Sequence, residues 1–479
     1  MKPLPVHPNI DHLKRQAKDL LAALRREDPD AIARLTTALP AAAGRAPVAL
    51  ARLRLHDAQS CLAREYGFPS WKALSAFVEM ARARSSDARS LAFEFAQLAY
   101  SGDVAGGMGR PRPEKATLYL DLLIAKGPLD PWIACAAGDV ARVRQHLQSD
   151  PDWIGQTGGP LNLPPLFAAT HSGLIRLPRF RAQILKIMQL LLEAGSDPNQ
   201  TIASRWPPAS LEAPSEDQRL SALYGAAGVN HDADAAALLL DAGADPNDNE
   251  TLYHAVESGE PALVQKLLEA GATVSGTNAL YHALDYDNLD LFNLLLGKTE
   301  TLDHPPLGPL LIWAIRRRRS LPHFEAVLAK GADPRVKNDE GISARVMALR
   351  YGLADVAALL EEAGAAEDIC ESDLFLAACA RADAAEARRL QALYPHFPEA
   401  LTPAQLRMFP ELAAAGCAEA VTLMADLGFP IGTRGGDWNA SPLNHAVMRG
   451  DAALAWRLLS HGAQWTEEHG YGDNVSGTL

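Results

Sequence analysis

The chain has little of what bridges covalently or holds zinc. Its five cysteines, Cys61, Cys135, Cys370, Cys379 and Cys417, are an odd, scattered set with no CxxC pair, so neither a disulfide framework nor a zinc site is signalled. A reducing cytoplasmic setting fits that usage. No apolar h-region follows Met1-Lys2-Pro3-Leu4-Pro5, and no apolar run of about 18 residues occurs later, so secretion and membrane spanning are not expected. Positive charge is also in deficit. With 45 Lys and Arg against 58 Asp and Glu the formal charge is −13, which offers no general attraction to phosphate backbones or anionic membrane surfaces. The basic stripe from Lys14 to Arg26 is too small in so acidic a chain to favour nucleic acid.

Catalytic signatures are missing as well. Gly102 to Arg110 is glycine-rich but lacks the Gly-Lys-(Ser/Thr) ending of a phosphate loop. Asp245, Asn247 and Asn249 have the alternate oxygens of a calcium loop, yet Glu250 stands where glycine is needed and Val256 where the bidentate acid belongs. No HExxH or GxSxG motif occurs. No catalytic residue, metal or cofactor is therefore expected.

What the chain does have is repetition. The phrase Leu-Leu-(Glu/Asp)-Ala-Gly-(Ala/Ser) stands at Leu191 to Ser196, Leu239 to Ala244 and Leu267 to Ala272, with looser echoes at Leu328 to Ala332 and Leu360 to Ala365. Recurrence at intervals near 30 residues predicts a stacked array of small helical units. Upstream of the array, residues 8 to 82 read as four short helices. The first carries Ile10, Leu13, Ala17, Leu20, Leu21 and Leu24 on one stripe, and the basic residues largely on the other. Asp28-Pro29 stops it and caps the next. After the Ala/Pro/Gly stretch from Leu39 to Pro47, a third helix ends at Gly67, and Ser70 can cap a fourth, Trp71 to Met80. Two further runs, Ser90 to Ser101 and Lys115 to Lys126, flank a Gly/Pro-rich loop and read as a helical linker or a degenerate repeat.

First-helix openings accompany the phrase. They include Pro164-Pro165-Leu166-Phe167-Ala168-Ala169, Glu250-Thr251-Leu252-Tyr253-His254-Ala255, Asn278-Ala279-Leu280-Tyr281-His282-Ala283 and Ser441-Pro442-Leu443-Asn444-His445-Ala446. Ser221 to Ala226 and a degenerate Pro309 to Ala314 also belong, and the fullest unit runs from Ala332-Asp333-Pro334 through Gly341 to Leu359-Leu360. These residues resemble ankyrin repeats, whose signature T-P-L-H-x-A opens a pair of antiparallel helices after a β-turn. The segment from Asp57 to Trp71 likewise resembles the helical module that precedes ankyrin repeats in many bacterial proteins. The fold class expected is all-α, an ankyrin-repeat solenoid, divided as 1–82 N-terminal helical module, 83–129 linker or degenerate repeat, 130–465 array of about nine units and 466–479 tail. The tail, with Gly470, Gly472 and Gly477, stops without a polar capping helix, so it is expected to be truncated or to fold back.

The resemblance implies protein recognition through turn tips and first helices, at two variable positions after the paired small residues. Those slots hold Glu257 and Ser258, Asp285 and Tyr286, Arg316 and Arg317, Arg350 and Tyr351, and Met448 and Arg449. Aligned on the Leu and Ala anchors, Tyr253 and Tyr281 fill the usual histidine position, which moves His254, His282 and His445 one residue on, to a surface position facing the groove, with simple solvation as the alternative. Tyr, Arg and Met are suited to interface anchoring. The run Arg316 to Arg319 suggests an acidic peptide or protein as partner, with a solvated helix end as the plain alternative. Spacing is uneven, 28 residues from Leu252 to Leu280 and 57 from Leu166 to Leu223, implying clipped turns in the first case and insertions in the second. One insertion, Gln200 to Arg219, is functional or disordered by length. Two other functional readings stand beside protein binding: an enzyme or enzyme regulator with its site in residues 1–130 or in the 200–219 loop, and a structural role through self-association.

Overall fold

A computed structural model describes residues 2–5, 8–39, 50, 53–299, 307–472 and 474–475. Most of the expected Leu39 to Pro47 loop and Gly477 of the tail lie outside the described residues. The chain forms two compact units, Met1–Ala226 with Asp241–Ala244, and Ala227–Leu240 with Asp245–Leu479. Both are helical; among the described residues the only named strands are the short pair Thr201–Ala203 and Arg219–Ser221.

The first unit begins with helices Ile10–Arg25, Pro29–Ala38, Leu55–Glu65 and Trp71–Ser85. Leu13, Ala17, Leu20, Leu21 and Leu24 are buried, and Lys14, Arg15, Lys18, Arg25 and Arg26 face water, so the amphipathic stripe sets which side packs. Caps fix the boundaries. Asn9 accepts from the amides of Asp11 and His12, Asp28 from Ala31, and Ser70 from Ala73. Gly67 takes φ 87° just past the third helix. A fork from Arg34 grips both oxygens of Glu65 at 2.7 and 2.9 Å, and Lys2 reaches the same carboxylate at 2.7 Å.

Helices Ala88–Ala99 and Pro113–Lys126 pack together, and Pro131–Ala137 with Val140–Ser149 and Pro165–Thr170 with Pro178–Glu193 follow as helix pairs. The Gly-rich stretch between the first two is partly helical: Gly102–Ala105 makes one turn, and the Gly102 amide bonds the Gly109 carbonyl at 2.7 Å. The 200–219 insertion is ordered. It closes the two-stranded ribbon, and the buried Arg205 guanidinium donates to the carbonyls of Val104 at 2.7 Å and Leu161 at 2.9 Å. Around Tyr224–Val229 the helix widens to a π turn, a variation that no residue pattern announced.

In the second unit, seven described helix pairs follow one another after Ala233–Asp241. Their first members are Thr251–Ala255, Ala279–Ala283, Leu307–Arg316, Ala344–Arg350, Glu371–Ala380, Met408–Ala414 and Pro442–Met448. Where the recurring phrase occurs, it is the end of a second helix. Gly271 and Gly364 sit at φ 98° and 104°, and the next amide, of Ala272 or Ala365, turns back to the carbonyl of Leu267 or Leu360 at 2.9 Å. This is a Schellman closure, which needs a residue able to adopt positive φ. The Asp-x-Asn sequence after it is a turn. Asp245 accepts from the Asn247 amide, while the Asn247 side chain donates to Gly271 and accepts from Thr273, tying one turn to the next. Finger length varies: bridges close fingers at Lys337 with Ser343, Gly435 with Ala440 and Glu468 with Asn474, whereas none is described between Glu269 and Ala279.

Candidate functional site

The first helices of the second unit carry a continuous ladder of alternating charges. On Thr251–Ala255 and the turn after it, His254 Nδ1 lies 2.7 Å from Glu257 Oε1, and its Nε2 lies 3.4 Å from Glu250. One repeat on, His282 Nε2 is 3.5 Å from the same Glu257 oxygen and its Nδ1 is 2.9 Å from Asp285. Arg317 Nε then donates to Asp285 at 2.6 Å. Arg316 and Arg317 share the carboxylate of Asp437, on the Gly435–Ala440 finger, at 2.7 and 2.9 Å. Glu411 ends the run, 3.9 Å from Arg316 and hydrogen-bonded by the Tyr351 hydroxyl at 3.0 Å.

Aromatic rings floor this ladder. Tyr253 stacks on His282 at 4.1 Å and 11°, Tyr286 meets the same imidazole edge-on at 5.4 Å, and the Trp313 ring lies 4.3 Å beneath the Arg317 guanidinium. Three- and four-residue spacing within each helix and its following turn places His254 beside Glu250 and Glu257, and His282 beside Asp285.

Electrostatics follow from this geometry. Burial disfavours a charged His254, but hydrogen bonds to Glu250 and Glu257 and their charges outweigh it and raise its pKa to about 9. For His282 burial again opposes, and Asp285 and Glu257 again prevail, so its pKa is raised. The hydrogen bonds from His254 and His282 hold Glu257 well below the usual carboxylate range. His254 is thus a cation at neutral pH, and each of the two histidines is pinned between acids.

The structure brings together His254, Glu257, His282, Asp285, Tyr286, Arg316 and Arg317, with the Tyr351 hydroxyl reaching Glu411 at the end of the run, and leaves the rest of the expected set outside the surface strip. Arg350 is buried and paired with buried Asp373 at 2.7 Å, and Tyr351 is buried too. Their helix is covered by its neighbour Glu371–Ala380, so these variable slots are interior. His445 is likewise buried rather than groove-facing. Burial is the main influence on it and lowers its pKa, and its Nε2 bonds the Gly435 carbonyl at 3.0 Å. The reason is local: a full finger precedes His445, whereas the finger ahead of His254 or His282 is clipped. Met448 is half-buried, and exposed Arg449 donates to Ala414 at 3.1 Å. The arginine run is largely self-satisfied, since Arg318 bonds the Tyr351 carbonyl and Arg319 lies 3.2 Å from Asp287. Sequence reasoning missed Glu250, Trp313, Glu411 and Asp437. Helical spacing from His254 could have found Glu250, but nothing local could have found Asp437.

Elsewhere, an open cleft of about 1140 Å³ lies between the ends of Ala88–Ala99 and Pro113–Lys126, and includes Arg89, Phe93, Lys126 and Arg142. Nearby, in the first unit, His171 is fully buried and stacked on Phe167 at 3.7 Å, and desolvation lowers its pKa to about 4. Asp103 accepts from the Tyr224 hydroxyl at 2.7 Å. Among the described residues no group of three or more His, Cys, Asp or Glu is arranged to hold a metal ion, and no helix is long and apolar enough to cross a membrane.

Comparison with known proteins agrees with the repeat geometry. Residues 215–304 match the family model for ankyrin repeats (3 copies). No curated protein matches the chain. Among solved structures it is similar to the human ASB11 ankyrin repeat domain, at 18% identity and TM-score 0.37, over 50% of this chain and 100% of that one. It is also similar to the ankyrin repeat domain of Bcl-3, described as a unique member of the IkappaB protein family, at 21% identity and TM-score 0.36, over 46% and 94% of the two chains. The match at 215–304, together with the helix pairs and glycine-closed ends described above, shows that this chain carries ankyrin repeats.

Proposed function

We propose that this chain is a non-enzymatic protein-recognition module of the cytoplasm, and that its partner docks on the ladder of first-helix residues from Glu250 to Arg317 with Asp437. The single observation that supports this most is the ladder itself. Its side chains are only partly exposed and held by charged neighbours, for example Arg317 at 21% and Asp285 at 29% side-chain exposure, so the surface is preorganised and its ordering cost is met before a partner arrives. The floor of Tyr253, Tyr286 and Trp313 supplies the residue types that anchor interfaces.

The test is affinity capture from native cells, comparing the wild-type chain with a Tyr286→Ala/Arg317→Ala double variant and with a Lys266→Ala/Glu269→Ala variant on a second helix. Specific partners should be lost with the first and kept with the second. Equal retention by both variants would reject the face.

A further inference from the structure

We propose that the tips of the last two fingers take a cationic side chain, arginine or lysine, from an extended segment of the protein partner. This rests on the partner-binding reading of the same face and adds the chemistry of what binds there.

Trp438, on the finger closed by Gly435 and Ala440, and Tyr471, on the finger closed by Glu468 and Asn474, meet with centroids 6.2 Å apart at 81°. His469 stands behind them, 6.3 Å from Trp438 and 6.1 Å from Tyr471. Trp438 is 40% and Tyr471 78% exposed, while His469 is buried. Three rings at steep mutual angles form a corner walled by π surfaces. The corner is built, because the Gly470 amide bonds the Trp438 carbonyl at 2.8 Å and a Cβ at Gly470 would come within 2.8 Å of that oxygen. Large aromatics left in water next to the ladder call for an occupant.

Charge decides which occupant fits. Aromatic faces are electronegative and attract cations, and the corner is flanked by the exposed Glu468. The cation on the same finger, Arg434, is turned to the Asn439 carbonyl at 2.9 Å. An acidic partner, the expectation from Arg316 to Arg319, finds less to bind. Arg316 and Arg317 are already neutralised, and their side chains are 26% and 21% exposed against 43% for the Asp437 that holds them. What the corner offers outward is the Glu468 carboxylate and rings.

The test uses the full chain and three short peptides, glycine-spaced pairs of arginine, lysine or glutamate, read by the Trp438 indole N–H resonance and assigned by its absence in Trp438→Phe. Arginine and lysine peptides should shift it saturably and the glutamate peptide should not. Tyr471→Ala should weaken the arginine peptide about three- to fivefold, the scale of an exposed cation–π contact. Trp438→Phe, followed through Tyr471 ring resonances, should keep most of the binding, and Trp438→Ala should lose it. An equal response to the glutamate peptide, or arginine binding untouched by both alanine changes, overturns the inference. Partner capture that still depends on Tyr286 and Arg317 while Trp438 ignores arginine removes this inference alone. Arginine binding at Trp438 with partner capture indifferent to Tyr286 and Arg317 upholds it and removes the partner-face reading alone.

Discussion

Glu257 is the residue on which the ladder turns, because one of its oxygens faces imidazoles from two repeats, at 2.7 and 3.5 Å. Its effect on stability has a definite sign. His254 titrates at about 9 in the fold against roughly 6.5 in an unfolded chain, so its contribution is complete below about pH 6.5 and is lost as pH rises towards 9. Glu257 is depressed, so its contribution is present above roughly pH 4.5 and is lost as pH falls below that. Denaturant unfolding should therefore be hardest near pH 5 to 6. NMR titration of the His254 ring should give a midpoint near 9, and Glu257→Gln should bring it down by a unit or more; a midpoint at the ordinary histidine value would remove the ladder's electrostatics. Two arginines that look alike in the sequence should also behave differently. Asp373→Ala strands buried Arg350 and should cost about 3–5 kcal/mol, whereas Arg317→Ala, on a partly exposed pair, should cost about 1 kcal/mol or less, both measured by urea unfolding.

Helix ends and stripes were the most legible features, because local rules govern them. Gly67 at a left-handed cap, Ser70 as an N-cap and the glycine of the recurring phrase depend on backbone preference and short-range hydrogen bonds, and each stands where such rules put it. Gly364→Ala should therefore cost about 1–2 kcal/mol purely from the left-handed backbone, since a Cβ there meets no atom within 4 Å. The status of a first-helix side chain was less legible. His254 and His445 occupy equivalent slots, but the first faces a clipped turn and the second a full finger, so one is a partly exposed cation and the other a buried donor to the Gly435 carbonyl. The 200–219 insertion gave no local sign of order either, since its anchor is Arg205 reaching carbonyls about a hundred and about forty residues away. Arg205→Met should leave the helices intact while opening the ribbon to limited proteolysis near Trp206.

At the scale of the whole molecule, repetition predicts the architecture and long-range pairing individualises it. Contacts such as Arg316 to Asp437, 121 residues apart, and Tyr351 to Glu411, 60 apart, cannot be read from any repeat's own sequence, so the arginine run by itself suggests an acidic partner or a solvated helix end and not this internal pairing. Because repeat arrays are stabilised by nearest neighbours, damage should stay local: hydrogen exchange in Asp373→Ala should lose protection across residues 344–414 and keep it in the first unit. The central claim is that the Glu250-to-Arg317 ladder is where another protein binds. Photo-crosslinking in native cells, with a benzophenone amino acid in place of Tyr286 or, separately, of Lys266 on a second helix, tests it most directly. A discrete adduct is expected from position 286 and none from 266; an adduct from 266 with none from 286 would overturn the ladder as the docking face.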